Sequence, residues 1–282
     1  MPISLERRAR AALTLLPPDR TLGTAVHTSG PEAVWRSLST GSDIDPDDLL
    51  AAHTAAGWRL LCPGDDEWPA TLPPARGMPI ALWARGDGHL ARLAARSVTV
   101  IGTRSPSVHG VHHTRSLTRG LVTATPRVAV TAAVSAGIGL QALTSAAPHG
   151  PTLALLTSSA NTCLARYGSL LGVVASRGVV LSLTPPLAPA GSGTGEPGRR
   201  LATRMTLLGA LSPALLVTEA ETAGQAMTLA RAAHGRGRAV MAVPAGPGLA
   251  VRRHGGCHQL LRGGLAVPAV TVDDITTRLP TG

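Results

Sequence analysis

The sequence predicts an α/β protein in which a parallel sheet carries helices on both faces and follows a small helical module. Three observations carry that prediction. From Ser97 onward, short apolar runs alternate with Ala-rich or Leu-rich stretches of helical length, the pattern of successive βα units. The first run, Ser97-Val98-Thr99-Val100-Ile101-Gly102-Thr103-Arg104, is rich in β-branched residues and opens into a polar turn, as a buried parallel strand does. Before residue 60 the apolar positions recur at helical spacing instead. The expected organisation is therefore a helical module over residues 1–60 and the sheet domain over 61–282.

Leu5, Ala9, Ala12, Leu13 and Leu16 place a first helix between Ser4 and Leu16, stopped by Pro17-Pro18. A second follows Ser29-Gly30 with Pro31 in its first turn, and a third runs from Pro46 to Ala56, capped by Asp45 and closed by Gly57. Trp58 to Cys62 and Ile80 to Arg85 read as short strands. After Ser97–Arg104 come a helix over His109–Val122 and strands at Arg127–Val134, Thr152–Leu156, Gly178–Ser182, Ala214–Glu219 and Ala239–Pro244. A helix is expected over Thr222–His234, and a short strand and helical turn over Val267–Leu279. Pro185 to Gly198, rich in Pro, Gly, Ala and Ser, reads as a loop or linker.

The 282 residues suffice for a large α/β domain with a smaller partner. There are 26 basic residues, all arginine, against 16 acidic ones, for a net charge of +10. Such a balance favours a polyanionic partner, nucleic acid before membrane, because clustered cations release counterions from phosphates. Abundant Ala, Gly and Pro and the absence of Phe also fit GC-rich coding, which weakens the charge argument. Cys62, Cys163 and Cys257 are scattered and show no metal-ligand spacing, so they read as separate thiols in a reducing compartment. With no secretory h-region near the start and no apolar run of about eighteen residues, a cytoplasmic protein is expected.

The turn after the Ser97 strand suits an anion. Gly102 lets the backbone approach closely, Thr103 and Ser105 offer hydroxyls, and Arg104 offers a forked guanidinium. The following helix would point the positive end of its dipole at the same place. The competing reading makes Arg104 an ordinary surface ion-pair partner. All four Trp lie at or before Trp83, and Tyr167 is the only aromatic residue after it. Any nucleic acid held by the larger domain would thus be gripped by phosphate contacts rather than by stacking.

Several landmarks stand in one order along the chain: Trp68-Pro69, Leu82-Trp83-Ala84-Arg85-Gly86-Asp87, Val100-Ile101-Gly102-Thr103-Arg104, Ser135-Ala136-Gly137-Ile138-Gly139, Gly209-Ala210-Leu211-Ser212, Val217-Thr218-Glu219-Ala220, Ala242-Val243-Pro244-Ala245-Gly246 and Gly256-Cys257-His258. In that order, from about Leu5 to Leu279, the chain resembles the DNA-processing protein A family, also called DprA or Smf, of bacterial natural transformation. The resemblance implies an extended Rossmann-like domain after a SAM-like helical module, single-stranded DNA and the recombinase RecA as partners, a homodimer, and neither metal nor cofactor. By position it implies DNA-binding roles for Gly102, Thr103, Arg104, Ser105, Ser135, Gly137, Gly139, Arg204 and Gly224. The family's C-terminal winged helix is not expected, since few residues follow Gly264.

The chain departs from the family pattern at several of these places. Ile138 and Gln141 stand where the family has arginine and aspartate, Met205 and Thr206 follow Arg204 in place of asparagine and arginine, and Pro151 replaces a frequent basic residue. Ala223 replaces a serine and His258 an asparagine. Two alternatives to the DNA-binding reading follow: a scaffold with a weakened pocket, or a nucleotide-binding or nucleotide-hydrolysing protein using Glu219 and the Gly224 helix start. For Glu219 the plainer role is pairing with Arg204 or capping a helix. His109, His112 and His113 share a helical face without a carboxylate and read as polar residues near the anion pocket, not as metal ligands. Gly191-Ser192-Gly193 lies in the Pro-rich loop and makes no nucleophile elbow.

Overall fold

The computed structural model describes residues 3–17, 20–39, 44–72, 78–157, 160–188, 197–246 and 251–280. Among the described residues the chain opens with four helices: α1 (Leu5–Leu13), α2 (Arg20–Ser29), α3 (Pro31–Leu38) and α4 (Pro46–Ala55). Ser4 caps α1 by accepting the Arg7 N–H at 3.2 Å, and Asp45 caps α4 by accepting that of Asp47 at 2.8 Å. Helix α2 is additional to the three expected. Its Thr, Gly and Ser content gives poor intrinsic propensity, and packing supplies what propensity lacks: Val26 is buried against Leu13 and Val34.

The rest of the described chain runs β1 (Trp58–Leu61), β2 (Leu82–Arg85), α5 (Leu90–Ala95), β3 (Ser97–Gly102), α6 (Val108–Thr123), β4 (Ala129–Val134), α7 (Ile138–Ala146), β5 (Thr152–Leu156), α8 (Ala160–Ala175) and β6 (Val179–Ser182). It continues through α9 (Pro197–Leu211), β7 (Ala214–Glu219), α10 (Gln225–His234), β8 (Ala239–Ala242), α11 (Val251–Arg262), β9 (Val267–Pro268) and α12 (Val272–Thr276). The residue-60 boundary drawn above falls within β1. Within the Pro185–Gly198 stretch, residues 189–196, with Gly191-Ser192-Gly193, lie outside the described residues, and Pro197 already belongs to α9.

The nine strands form one sheet in the order β1-β2-β6-β5-β4-β3-β7-β8-β9. From β3 to β6 the chain steps outward in one direction, then crosses back over β3 to place β7, β8 and β9 on the other side. The strand order therefore reverses between β3 and β7, the place where open α/β sheets leave a crevice at their carboxyl edge. The sheet is mixed rather than wholly parallel: β1 pairs with β2 and β2 with β6 in antiparallel register, Trp83 opposite Ser182. Trp58 and Trp83 are fully buried and close the edge where the helical module docks.

Helices cover both faces. One core joins Leu117, Leu121, Leu143 and Val174 to Val98, Val100, Val130 and Leu216; the other joins Leu90, Leu207, Leu229 and Leu260 to Ile101, Leu153, Leu215 and Val217. The second face includes a buried hydroxyl cluster in which Ser212 lies 2.7 Å from Ser97, 2.9 Å from Thr99 and 3.0 Å from Thr131. This ties the end of α9 to two central strands and gives Ser212 a structural reason for its place. The three cysteines are buried, and desolvation pushes Cys62 up to about 11 and Cys257 to about 12, leaving both as thiols. Among the described residues no helix is long and apolar enough to cross a membrane.

Candidate functional site

The carboxyl ends of β3, β4 and β5, together with α9 and the start of α10, enclose a cavity of about 400 Å³. Of the expected site residues it gathers Gly102, Arg104, Ser135, Gly139 and Arg204. Apolar walls come from Val100, Ile101, Leu155 and Leu208. Among the described residues the charged groups lining it are Arg104 and Arg204, and no carboxylate faces it. Arg104 is exposed, and among the described residues no acidic group lies within ion-pair distance of it, contrary to the surface-pair reading.

Backbone contacts between neighbouring loops hold the Arg104 turn in place. The Thr103 N–H donates to the Glu219 carbonyl at 2.8 Å, and the Ile138 N–H donates to the Thr103 carbonyl at 3.1 Å. Gly137 sits at a φ of +91° before α7, and a Cβ there would overlap the Thr103 carbonyl and fall 2.5 Å from the Arg104 Cα. Only glycine lets the β4–α7 turn press so closely on the arginine's backbone. Gly137 is thus a support of the site and does not line the cavity. Gly102 has a comparable reason: a Cβ there would lie 2.5 Å from the Ile138 side chain.

Thr103 and Ser105 do not line the cavity either. The Ser105 N–H donates to the Thr103 hydroxyl at 3.2 Å, and the Ser105 carbonyl accepts from Arg253 of α11 at 3.0 Å. Gly224, before α10, opens an adjoining groove of about 470 Å³ that shares Met205 and Gln225 with the cavity and also contains Thr206. Thr157, Leu208 and Gln225 line the cavity without having been singled out from the sequence, and Met205, read as a departure from the family pattern, lines it too. Thr157 follows the end of β5 and Gln225 begins α10, so their places after a strand and after Gly224 were the available signals.

The α6 dipole does not point at an open anion site. Glu219 fills that position: fully buried, it accepts from the Ser107 N–H at 3.0 Å and from the Ser107 hydroxyl at 2.7 Å, while Ser107 in turn accepts from the Gly110 N–H at 3.1 Å. Gly110 leaves room for the carboxylate, on which a Cβ would collide. Glu219 therefore caps α6 and does not open onto the cavity.

Three of the departures from the family pattern have local partners. Ile138 is fully buried against Gly102, and Gln141 accepts from Arg115 at 2.9 Å. His258 accepts from the Ala245 N–H at 3.3 Å. Pro151 is a correction: it precedes β5, at the opposite edge of the sheet from Arg104, and its identity does not thin this cavity.

The three α6 histidines do not line the cavity; His109 instead packs against His113 at 4.3 Å and against His254 of α11 at 5.1 Å. Among the described residues no grouping of three or more His, Cys, Asp or Glu side chains is placed to hold a metal ion. His254 is 1 % exposed, and burial lowers its pKa, reinforced by His109, His258 and Arg253 and opposed by Glu219. Burial likewise lowers His113, with its histidine neighbours adding to the effect, and His53, against the opposing hydrogen bond to the Leu49 carbonyl. All three therefore stay neutral in the fold at pH values where the unfolded chain takes up protons. Stability contributed this way is complete above about pH 6.5 and is lost as the pH falls through the folded-state values. Melting temperatures between pH 7.5 and 5 should decline, and His254→Asn should flatten the decline; a flat parent profile would contradict the assignment.

Fold and site together define a doubly wound α/β protein with a cationic crevice, free of carboxylates among the described residues, at its topological switch point. The sequence matches the family of DNA recombination-mediator protein A over residues 59–280, and the chain belongs to that family. Among curated proteins it is 34 % identical over 241 residues to the putative DNA processing protein DprA of Mycobacterium tuberculosis, a match covering 81 % of this chain and 59 % of the relative. It is 26 % identical over 243 residues to protein Smf of Synechocystis, covering 84 % and 58 %. The chain thus spans about three-fifths of the length of these relatives. The X-ray structure of DNA processing protein A from Streptococcus pneumoniae shares the fold with a TM-score of 0.73 at 19 % identity, covering both chains fully. DNA processing protein A from Helicobacter pylori, solved for its unique single-stranded DNA binding mode, gives a TM-score of 0.61 at 22 % identity over 78 % of this chain and 94 % of that one.

Proposed function

We propose that this chain binds single-stranded DNA in the Arg104–Arg204 crevice and serves as a cytoplasmic recombination mediator that protects incoming DNA and helps load RecA during natural transformation, acting as a homodimer. The observation that carries the reading is a strand-end cavity whose charged lining, among the described residues, is two arginines. Guanidinium forks match phosphate oxygens, and the apolar walls tolerate bases of any identity. Among the described residues no aromatic side chain lines the cavity, so the grip on the strand is phosphate-led. Family membership and the single-stranded DNA binding mode of the Helicobacter pylori protein support this reading. Glu219, engaged at the start of α6, is not available to a nucleotide in the cavity, which argues against hydrolysis with Glu219 as the acid.

A gel shift with one-stranded and two-stranded oligonucleotides over a salt series tests the proposal. Binding should favour the single strand, weaken steeply with salt and show little sequence preference. Affinity that is indifferent to salt, or that follows a defined base sequence, would contradict phosphate-led binding. No binding at low salt would favour a scaffold whose pocket, with Ile138 at the family's arginine position, has lost its ligand.

A further inference from the structure

At the other edge of the sheet, the starts of β3, β4 and β5 frame a second recess of about 670 Å³. Arg92 reaches it from α5, Arg96 directly precedes β3, Arg127 lies just before β4, and Arg177 sits in the turn before β6. Gly150 and Pro151 add to the lining, and among the described residues no carboxylate does.

Among the described residues none of these four arginines lies within 4.0 Å of an acidic group, whereas Arg7, Arg8, Arg10 and Arg59 each have a carboxylate partner. Asp66, close enough to feel the charge of Arg92, is itself engaged by His89 at 2.8 Å. The Arg96 Nε is shielded from solvent and, among the described residues, has no hydrogen-bond partner. Arg177 is oriented by donating to the Pro148 carbonyl at 2.9 Å. Four guanidiniums gathered with no ion-pair partner among the described residues repel one another and raise a local positive potential, which a phosphate group relieves.

We infer that this recess is a second phosphate-binding site that takes the phosphodiester backbone of the same strand held in the Arg104 crevice. The inference rests on the DNA-binding reading above. The six-residue strand β3 separates the two edges by roughly 20 Å, so a strand long enough to pass around the sheet engages both sites while a short one engages only one. Joining the two contacts through one strand makes the second binding event intramolecular and raises affinity for long strands selectively.

The test compares the parent, Arg104→Ala and the double variant Arg127→Ala/Arg177→Ala on oligonucleotides of about 10 and about 40 nucleotides, the shorter lying within the range one site covers. Arg127 and Arg177 are exposed, and a melting curve verifies that the double variant is folded. It should bind the long strand about tenfold more weakly, bind the short one as the parent does, and show a salt slope smaller by about 1.4, the value for two lost single-strand phosphate contacts. Unchanged affinity and slope on the long strand, with Arg104→Ala impaired, overturn this inference and leave the crevice reading standing. An impaired double variant with an unaffected Arg104→Ala overturns the crevice and with it the sharing of one strand between two sites, leaving the recess as the DNA site. A parent that binds neither strand overturns both. At constant ionic strength, pyrophosphate that raises the melting temperature of the parent but not of the double variant, with DNA binding equal in the two, assigns the recess to small phosphates and overturns the nucleic-acid site.

Discussion

Replacing Arg104 with alanine should weaken single-stranded DNA binding by about 1.5–3 kcal/mol, the range for a hydrogen bond to a charged group, or roughly ten- to a hundredfold. The site explains why so much depends on one side chain. Among the described residues the cavity has two charged lining groups, and Ile138, at the position of the family's arginine, is turned into the core against Gly102. Arg104 is exposed at the turn after β3, so its loss removes a phosphate contact and leaves no cavity in the core. The melting temperature should therefore stay within a degree or so of the parent's, and binding should weaken alike for all sequences. Arg104→Lys should recover only part of the affinity, because an ammonium cannot reproduce the bidentate fork. Fluorescence anisotropy at one fixed salt concentration measures all three proteins, and parent-like binding by Arg104→Ala would place the DNA elsewhere.

The largest stability effect is expected at Glu219. Its carboxylate accepts from both the N–H and the hydroxyl of Ser107 at the start of α6, without exposure to solvent. Glu219→Ala removes charge-assisted hydrogen bonds and leaves a part-buried N–H unsatisfied, for a loss of about 3 kcal/mol or more. In a chain of this size that lowers the melting temperature by roughly 6–12 °C. Glu219→Gln keeps an acceptor for Ser107 and should recover part of the loss. Gly110→Ala should also destabilise the fold, since the added methyl collides with the carboxylate. Differential scanning calorimetry of the three variants decides the matter; a Glu219→Ala protein as stable as the parent would remove the capping role and restore Glu219 as a candidate acid.

The alternation after Ser97 determined the βα architecture without help from the structure, because a buried parallel strand must be apolar on both faces and its crossover must span a helix. The cap residues Ser4 and Asp45 and the strand end at Gly102-Thr103-Arg104 were legible for the same local reason: caps and strand-to-turn transitions are written in neighbouring residues. Helix α2 was not legible, since packing of Val26 rather than propensity sustains it. Nor was the antiparallel docking of β2 on β6, a pairing between residues about a hundred positions apart. The tertiary structure alone decided which polar residues share a site. Arg104 and Arg204 meet because the chain crosses back over β3, Pro151 is carried to the opposite edge with Arg96 and Arg127, and Glu219 is committed to α6 because strand pairing sets it beside Gly102. Sequence carries the chemistry of each side chain, while the order of strands in the sheet decides which edge that chemistry faces.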